Sequence, residues 1–435
     1  MEEVQRRLGI RIPGVLLPSA GTDLYRWAVI ACDQFTSQPE YWEDAARIVG
    51  DAPSTLHMIY PEVYLGEKDE SQRIEVIVAA MERYLQNGVL TEYPPGVMVT
   101  WRRNASGTLV RKGVMLSVDL ECYDYEEGSA SIIRATEGTI KERIPPRLRI
   151  RSRAPVDLPH VMMLIDDARH TVIEPMYARA NKAEHVYDTE LMLGGGHVRA
   201  WHVTDPGEIE RMLLALDALL KASEAWSPGA PMLFAVGDGN HSLAAAKANW
   251  ENVKRSITKD AAGDHPARFA LCEILNLYDE GIRMEPIHRL LFDVATDKAL
   301  SFLIGFYREK GMKARLLKPG ETVSAGQALE YSAQDGPGMM HIADPRNSVV
   351  ADTLQAGLDA LLGAFPKARI DYIHGRDALQ ALSKAPGCLG FLLPQIRKDT
   401  LFSTVMKGGV LPRKAFSIGE ADEKRYYMEG KRIRP

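Results

Sequence analysis

Apolar positions along the chain fall into two periods, and the period changes from segment to segment. From Glu70 to Asn87, residues Ile74, Ile77, Val78, Met81, Tyr84 and Leu85 recur on one face at 3.6 spacing, and Gly88 suits the position after a helix end. Asp205 and Pro206 open a second amphipathic helix, with Ile209, Met212, Leu213, Leu216, Leu219 and Leu220 as its stripe. Shorter stripes predict helices over residues 37–49, 298–310, 353–362, 377–384 and 400–407. Alternation at Val114, Leu116, Val118 and Leu120 predicts a half-buried strand. Val97 to Arg103, across the turn Asn104–Gly107, completes a hairpin. Val198 to Val203 alternates in the same way after the turn Gly194–His197.

Continuous apolar runs predict buried strands over Trp27–Asp33, His160–Asp166, Met232–Val236, Arg268–Tyr278 and Leu389–Leu393, with another near Ile370. His57 to Tyr64 reads as extended and Met284 to Arg289 as a turn. Arg147 to Arg153 reads either as a solvated basic strand or as the lining of an anionic site. Interleaved strands and helices without an internal repeat predict an α/β or α+β fold, with a mixed sheet and flanking helices. Three segments are expected. Residues 1–205 form an N-terminal α+β domain with a hairpin. Residues 206–293 form a central strand–turn–helix unit packed with the first, and residues 294–435 a smaller C-terminal α+β domain with a basic tail.

The strand–turn–helix unit carries the densest chemistry. After Val236, Gly237 and Gly239 bracket Asp238; Asn240, His241 and Ser242 follow, and Leu243 to Lys247 begin a helix. Such a turn aims backbone N–H groups and the positive end of a helix dipole at one point. A carboxylate and an imidazole stand beside that point. The functional reading is a phosphate cradle, with Asp238 as general base or metal ligand and His241 as phosphate ligand or proton carrier. The bland alternative is a plain turn in which Asn240 caps a helix and His241 is exposed. Neither the Walker A spacing nor a dinucleotide fingerprint is present.

Acids outnumber bases 58 to 53 over 435 residues, so bulk charge gives no reason to expect nucleic acid. Cys32, Cys122, Cys272 and Cys388 are scattered, which suits a reducing cytoplasm and argues against a zinc cluster. No apolar run approaches a membrane span, and the first residues lack a signal-peptide core.

Other constellations are weaker. Arg134, Thr136 and Glu137 follow a strand and form either an anion grip beside a base or a surface ion pair. His288 and Arg289, after Pro286, form a second anion clamp or ordinary turn residues. Pro412–Lys414 is most simply a solvated basic turn, and Asp33 marks a strand end.

Taken in order, five features resemble the large microbial family labelled domain of unknown function 1015. They are Cys32-Asp33 with Pro61-Glu62 downstream, Arg134-Ala-Thr-Glu137, Asp238-Gly-Asn-His241, Pro286-Ile-His-Arg289 and Pro412-Arg-Lys414. The resemblance spans essentially the whole chain. The family's central motif is usually Asp-Gly-His-His-Arg; here Asn240 and Ser242 replace a histidine and the arginine. The Asp-Gly-x-His turn also resembles that of free serine kinases, which share a fold with ParB partition proteins. These resemblances imply phosphoryl transfer between ADP or ATP, with Mg²⁺, and a small metabolite, serine or phosphoserine being the candidates. Under that implication Gly237, Gly239, Asn240 and Ser242 hold phosphate. Glu137, Asp33, Asp238 and His241 do the chemistry, with Asp238 at the metal. Arg134, His288, Arg289 and Lys414 neutralise charge. The rival readings are a non-catalytic, ParB-like nucleotide-binding module and a phosphomonoester hydrolase. A homodimer stays open.

Overall fold

The computed structural model describes residues 1–346, 349–412 and 414–435. They divide into two compact units. The first holds Met1–Arg283, Phe402–Gly409 and Ile418–Pro435; the second holds Met284–Leu401 and Val410–Ser417.

Ten strands of the first unit form one mixed sheet. Its order is Tyr187–Leu191, Gly196–Val203, Val97–Arg103, Val110–Asp119, Phe269–Asn276, Met162–Ile165, Phe234–Asp238, Ile133–Ala135 and Tyr123–Asp124, with Ile10–Arg11 added to Val110–Asp119. Neighbours are antiparallel except where Met162–Ile165 meets Phe269–Asn276 and where Ile133–Ala135 meets Phe234–Asp238 and Tyr123–Asp124. The predicted hairpin is present, with Met98 opposite Met115 and Arg103 opposite Val110.

Strand alternation feeds two cores. Val97, Val99, Val114, Leu116 and Val118 point to one face, where the helices Pro206–Trp226 and Asn240–Lys254 cover them. Met98, Met115 and Leu271 point to the other, beneath the helices Pro39–Val49 and Glu70–Gln86. Both faces are therefore buried, and the strands read as near-continuous apolar runs. Pro206–Trp226 buries Ile209, Met212, Leu213, Leu216 and Leu220, and the Asp205 carboxylate caps it by accepting from the Glu208 N–H at 2.9 Å. Such a cap contributes about 1 kcal/mol.

The second unit is an antiparallel sheet in the order Ala314–Leu316, Gly336–Ile342, Gln327–Ala333, Leu389–Leu392, Met284–Phe292 and Arg369–His374. The helices Thr296–Glu309, Val350–Ala364 and Arg376–Leu382 belong to it.

Several readings change. Trp27–Asp33 is not a strand of the main sheet: Leu24–Trp27 is a helical turn, and the rest ladders with the C-terminal segment. There the Ala31 N–H donates to Arg425 O and the Tyr427 N–H to Val29 O. Arg147 to Arg151 lies in the helix Ile144–Arg151 rather than a strand. Residues 57–64 hold two 3₁₀ turns, Thr55–Met58 and Glu62–Tyr64. Met284–Phe292 is a strand and not a turn, and it pairs with Arg369–His374 from Ile287 onward. The segments 1–205 and 206–293 share one sheet up to Asn276, and the contact boundary falls at Arg283/Met284. Residues 418–435 rejoin the first unit. Among the described residues, no helix is long and apolar enough to cross a membrane.

Candidate active site

Each glycine of the central turn has a distinct task. Opposite Met162 and Met163 the register slips between Val236 and Asp238. Gly237 is the extra residue, and a Cβ there would lie 2.4 Å from Ile418 Cδ1 and 3.0 Å from Leu164 Cγ. A bulge of this kind re-aims the next side chain, here Asp238. Gly239 then turns the chain at φ +82°, in the left-handed region, with a would-be Cβ 3.1 Å from Val161 Cα. The helix Asn240–Lys254 starts at once, 15 residues long. Asn240 is buried, and its Oδ1 has no hydrogen-bond partner among the described residues.

Charged side chains from distant segments gather here. Lys424 Nζ lies 3.3 Å from Asp238 Oδ2, with its side chain only 6% exposed. Asp33 Oδ2 lies 3.8 Å from His160 Nε2, and Asp33 Oδ1 accepts from Gln34 Nε2 at 3.0 Å. On the other side of the His160 ring, Nδ1 meets the Tyr427 hydroxyl at 2.7 Å, and that hydroxyl accepts from the Cys32 N–H at 3.1 Å. Arg147 pairs with Glu62. His241 Nε2 accepts the Ile140 N–H at 3.1 Å, and the Thr136 hydroxyl donates to Val236 O at 2.6 Å.

The surroundings push the two carboxyls Asp33 and Glu62 in opposite directions. Burial raises Asp33, but His160, the Gln34 amide, Arg147 and Lys424 more than offset it, and the group stays below the usual carboxylate range. Burial raises Glu62, and Arg147 only partly opposes it while Asp33 adds to it. Carboxyls driven apart in this way are a recurrent mark of acid–base sites. Burial, with Arg147 and Arg143 adding to it, lowers His241 to about 4, so it enters as a neutral imidazole. Burial pushes the Cys32 thiol far up and removes it as a nucleophile.

The predicted residues divide into three groups. Gly237, Asp238, Gly239, Asn240, His241 and the half-buried Ser242 form the turn, and Asp33 joins it through charges shared with Lys424 and Arg147. Arg134 and Glu137 lie on or just beyond the adjacent parallel strand Ile133–Ala135. The Arg134 guanidinium is spent on backbone: Nε donates to Ser131 O at 2.7 Å, and Nη2 donates to Ala230 O and Pro231 O at 2.7 and 3.0 Å. It therefore fastens the approach to Phe234. His288, Arg289 and Lys414 belong to the second unit. There Arg289 Nη1 donates to Lys414 O at 3.0 Å, both cations stand over Tyr372, and His288 Nδ1 accepts the Leu393 N–H at 3.1 Å. Arg413 of the tail motif lies outside the described residues.

Sequence reasoning gave no role to His160, Lys424 or Tyr427. It noted Glu62 only beside Pro61, and Arg147 only within a basic run. Nothing in the local pattern marks Lys424 or Tyr427, because their partners are 186 and 267 positions away.

A family model described as a protein of unknown function, DUF1015, matches residues 14–359. No curated protein matches the chain. Among solved structures, a free serine kinase in complex with AMP is 9% identical, with 74% of this chain and 92% of that one covered at a TM-score of 0.38. SbnI with a C-terminal truncation, from Staphylococcus aureus, is 8% identical over 70% and 82%, at 0.38. A conserved hypothetical protein from Pyrococcus furiosus is 10% identical over 74% and 95%, at 0.35.

Proposed function

This chain belongs to the DUF1015 family, and from that premise we propose that it transfers a phosphoryl group between a nucleotide and a hydroxyl of a small metabolite. One observation carries the reading. Asp33, His160, Asp238 and Lys424, from four separate stretches of chain, converge with Arg147 at the glycine turn that starts a 15-residue helix. The helix N-terminus and its N–H groups suit phosphate oxygens. The buried Asn240 Oδ1 has no hydrogen-bond partner among the described residues and, as an acceptor, suits a hydroxyl or ammonium donor of the metabolite and not a phosphate oxygen.

In this reading the turn from Gly237 to Ser242 holds phosphate, and Lys424 and Arg147 offset charge that grows during transfer. Asp33, ionised across the working range, takes the hydroxyl proton. The hydroxyl oxygen bonds to the transferred phosphorus, and the bond to the nucleotide's bridging oxygen breaks. His241 stays neutral and orients the turn through Ile140. Among the described residues, no group of three acids, histidines or cysteines is arranged to hold a metal. Asp238 is already paired with Lys424. Magnesium therefore has no built cage here, and no step is assigned to it.

The motif resemblance makes serine the first acceptor to try. Phosphorus NMR of the protein with ATP or ADP, Mg²⁺ and serine, and with phosphoserine and AMP or ADP, tests both directions. Transfer in one of them, lowered about 10²-fold or more in Asp33→Asn, is the expected result. No transfer and no thermal stabilisation by any nucleotide would overturn the proposal. Phosphate released to water without an acceptor would identify a hydrolase instead.

A further inference from the structure

The family match ends at residue 359, yet Lys424 and Tyr427 reach the site from far beyond it. The segment that carries them is held at unusual expense. Arg102 donates to Gly195 O at 3.0 Å and to the carbonyls of Asp422, Glu423 and Lys424. Arg111 Nη1 adds a bond to Glu423 O at 2.9 Å. Arg425 Nη1 lies 3.1 Å from Glu273 Oε2, and Arg425 also pairs with Glu429, which accepts from Tyr187 at 2.6 Å. Three buried guanidiniums thus face two buried carboxylates. Desolvating such charges costs several kcal/mol each, and apolar packing would fasten a segment more cheaply. Their geometry does what apolar packing does not: it fixes where Lys424 and Tyr427 stand.

We propose that this segment is a working part of the site, with Lys424 as a binding residue for a phosphoryl oxygen and Tyr427 as the positioning residue for the His160–Asp33 pair. The Lys424 assignment rests on the phosphate reading above; the Tyr427 assignment does not. The Tyr427 hydroxyl already accepts from the Cys32 N–H, and burial keeps its proton in place. In this proposal it gives that proton to His160 Nδ1 as a hydrogen bond, so that the ring presents an Nε2 proton to Asp33. Cys32 and Asp33 are adjacent, so one dipeptide holds Tyr427 by its backbone and receives His160 by its carboxylate. Lys424 waits on Asp238, and an incoming phosphoryl oxygen takes a place on its ammonium.

Nitrogen-15 NMR of the histidine-labelled full chain and ADP titration by calorimetry test the two parts. Wild-type His160 should carry its neutral-state proton on Nε2, and Tyr427→Phe should mix the tautomers. A wild-type ring protonated on Nδ1 overturns the positioning role. Lys424→Gln should weaken ADP at least tenfold with the His160 signals unchanged, and Lys424→Arg should restore most of the affinity. Wild-type affinity in Lys424→Gln overturns the binding role. If wild-type protein binds no ADP, the phosphate reading and the Lys424 role fall together, while the tautomer result still decides Tyr427.

Discussion

Replacing Glu273 with glutamine tests whether ionic contacts hold the C-terminal segment in place. Glu273 is buried on the strand Phe269–Asn276, 3.1 Å from Arg425 and 3.5 Å from Arg111, and it accepts from the Thr100 hydroxyl at 2.8 Å. Burial alone would raise its pKa, but Arg425, Arg111 and the Thr100 bond outweigh it and hold the carboxyl at about 2, against an ordinary value of 4.5. At about 1.4 kcal/mol per tenfold in proton affinity, that gap corresponds to about 3 kcal/mol. Removing one partner of a buried ion pair costs about 3–5 kcal/mol by a separate route, so the two figures agree. A group with a depressed folded pKa stabilises fully above its unfolded value and loses that contribution as pH falls through the folded one. The deficit of Glu273→Gln should therefore be about 3 kcal/mol at pH 6 and should close between pH 4.5 and 2. Urea unfolding followed by tryptophan emission gives the measurement, because the Trp27 indole N–H donates to Met428 O at 3.1 Å and reports on this segment. A deficit below about 1 kcal/mol at pH 6, or one that persists unchanged to pH 2, would refute the reasoning.

Three further outcomes are expected. Gly239→Ala should lose about 1–2 kcal/mol in urea unfolding, since alanine at φ +82° is strained and its Cβ meets Val161 Cα; a neutral result would mean the turn relaxes. Arg134→Met should lower the melting temperature by leaving the Ser131, Ala230 and Pro231 carbonyls short of a donor, while nucleotide affinity in the folded protein stays within about twofold. His241→Gln should flatten stability between pH 6.5 and 4, because a histidine lowered to about 4 withdraws its contribution as pH falls through that window; an unchanged slope in pH-dependent thermal melts counts against it.

What was legible in the sequence is what neighbours along the chain decide. The hairpin Val97–Asp119 needs only its own turn and alternation, and the stripes of Glu70–Gln86 and Pro206–Trp226 need only a 3.6 period. The glycine turn was visible because Gly237 and Gly239 bracket Asp238 within three positions. Trp27–Asp33 was misread because an apolar run shows that it is buried, not what it pairs with. Its partner, Arg425–Tyr427, lies about four hundred residues away. Arg134 resembled an anion grip because a buried arginine looks the same in sequence whether it meets a phosphate or three carbonyls. His160 and Tyr427 were invisible for the same reason as the ladder: each gains its role only from the other.

The return of residues 418–435 to the first unit also sets an order of events during synthesis. The second unit is an insertion in the first, and the ribosome must complete it before Lys424 exists. The strands around Phe234–Asp238 are translated long before that point and can pair early. The Asp238 carboxylate then has no lysine and His160 has no tyrosine until the final stretch docks. A growing chain stalled after residue 417 would carry every strand of the sheet but neither Lys424 nor Tyr427, so the contacts of Asp238 and His160 with them arrive with translation of the closing segment and not with folding of the sheet.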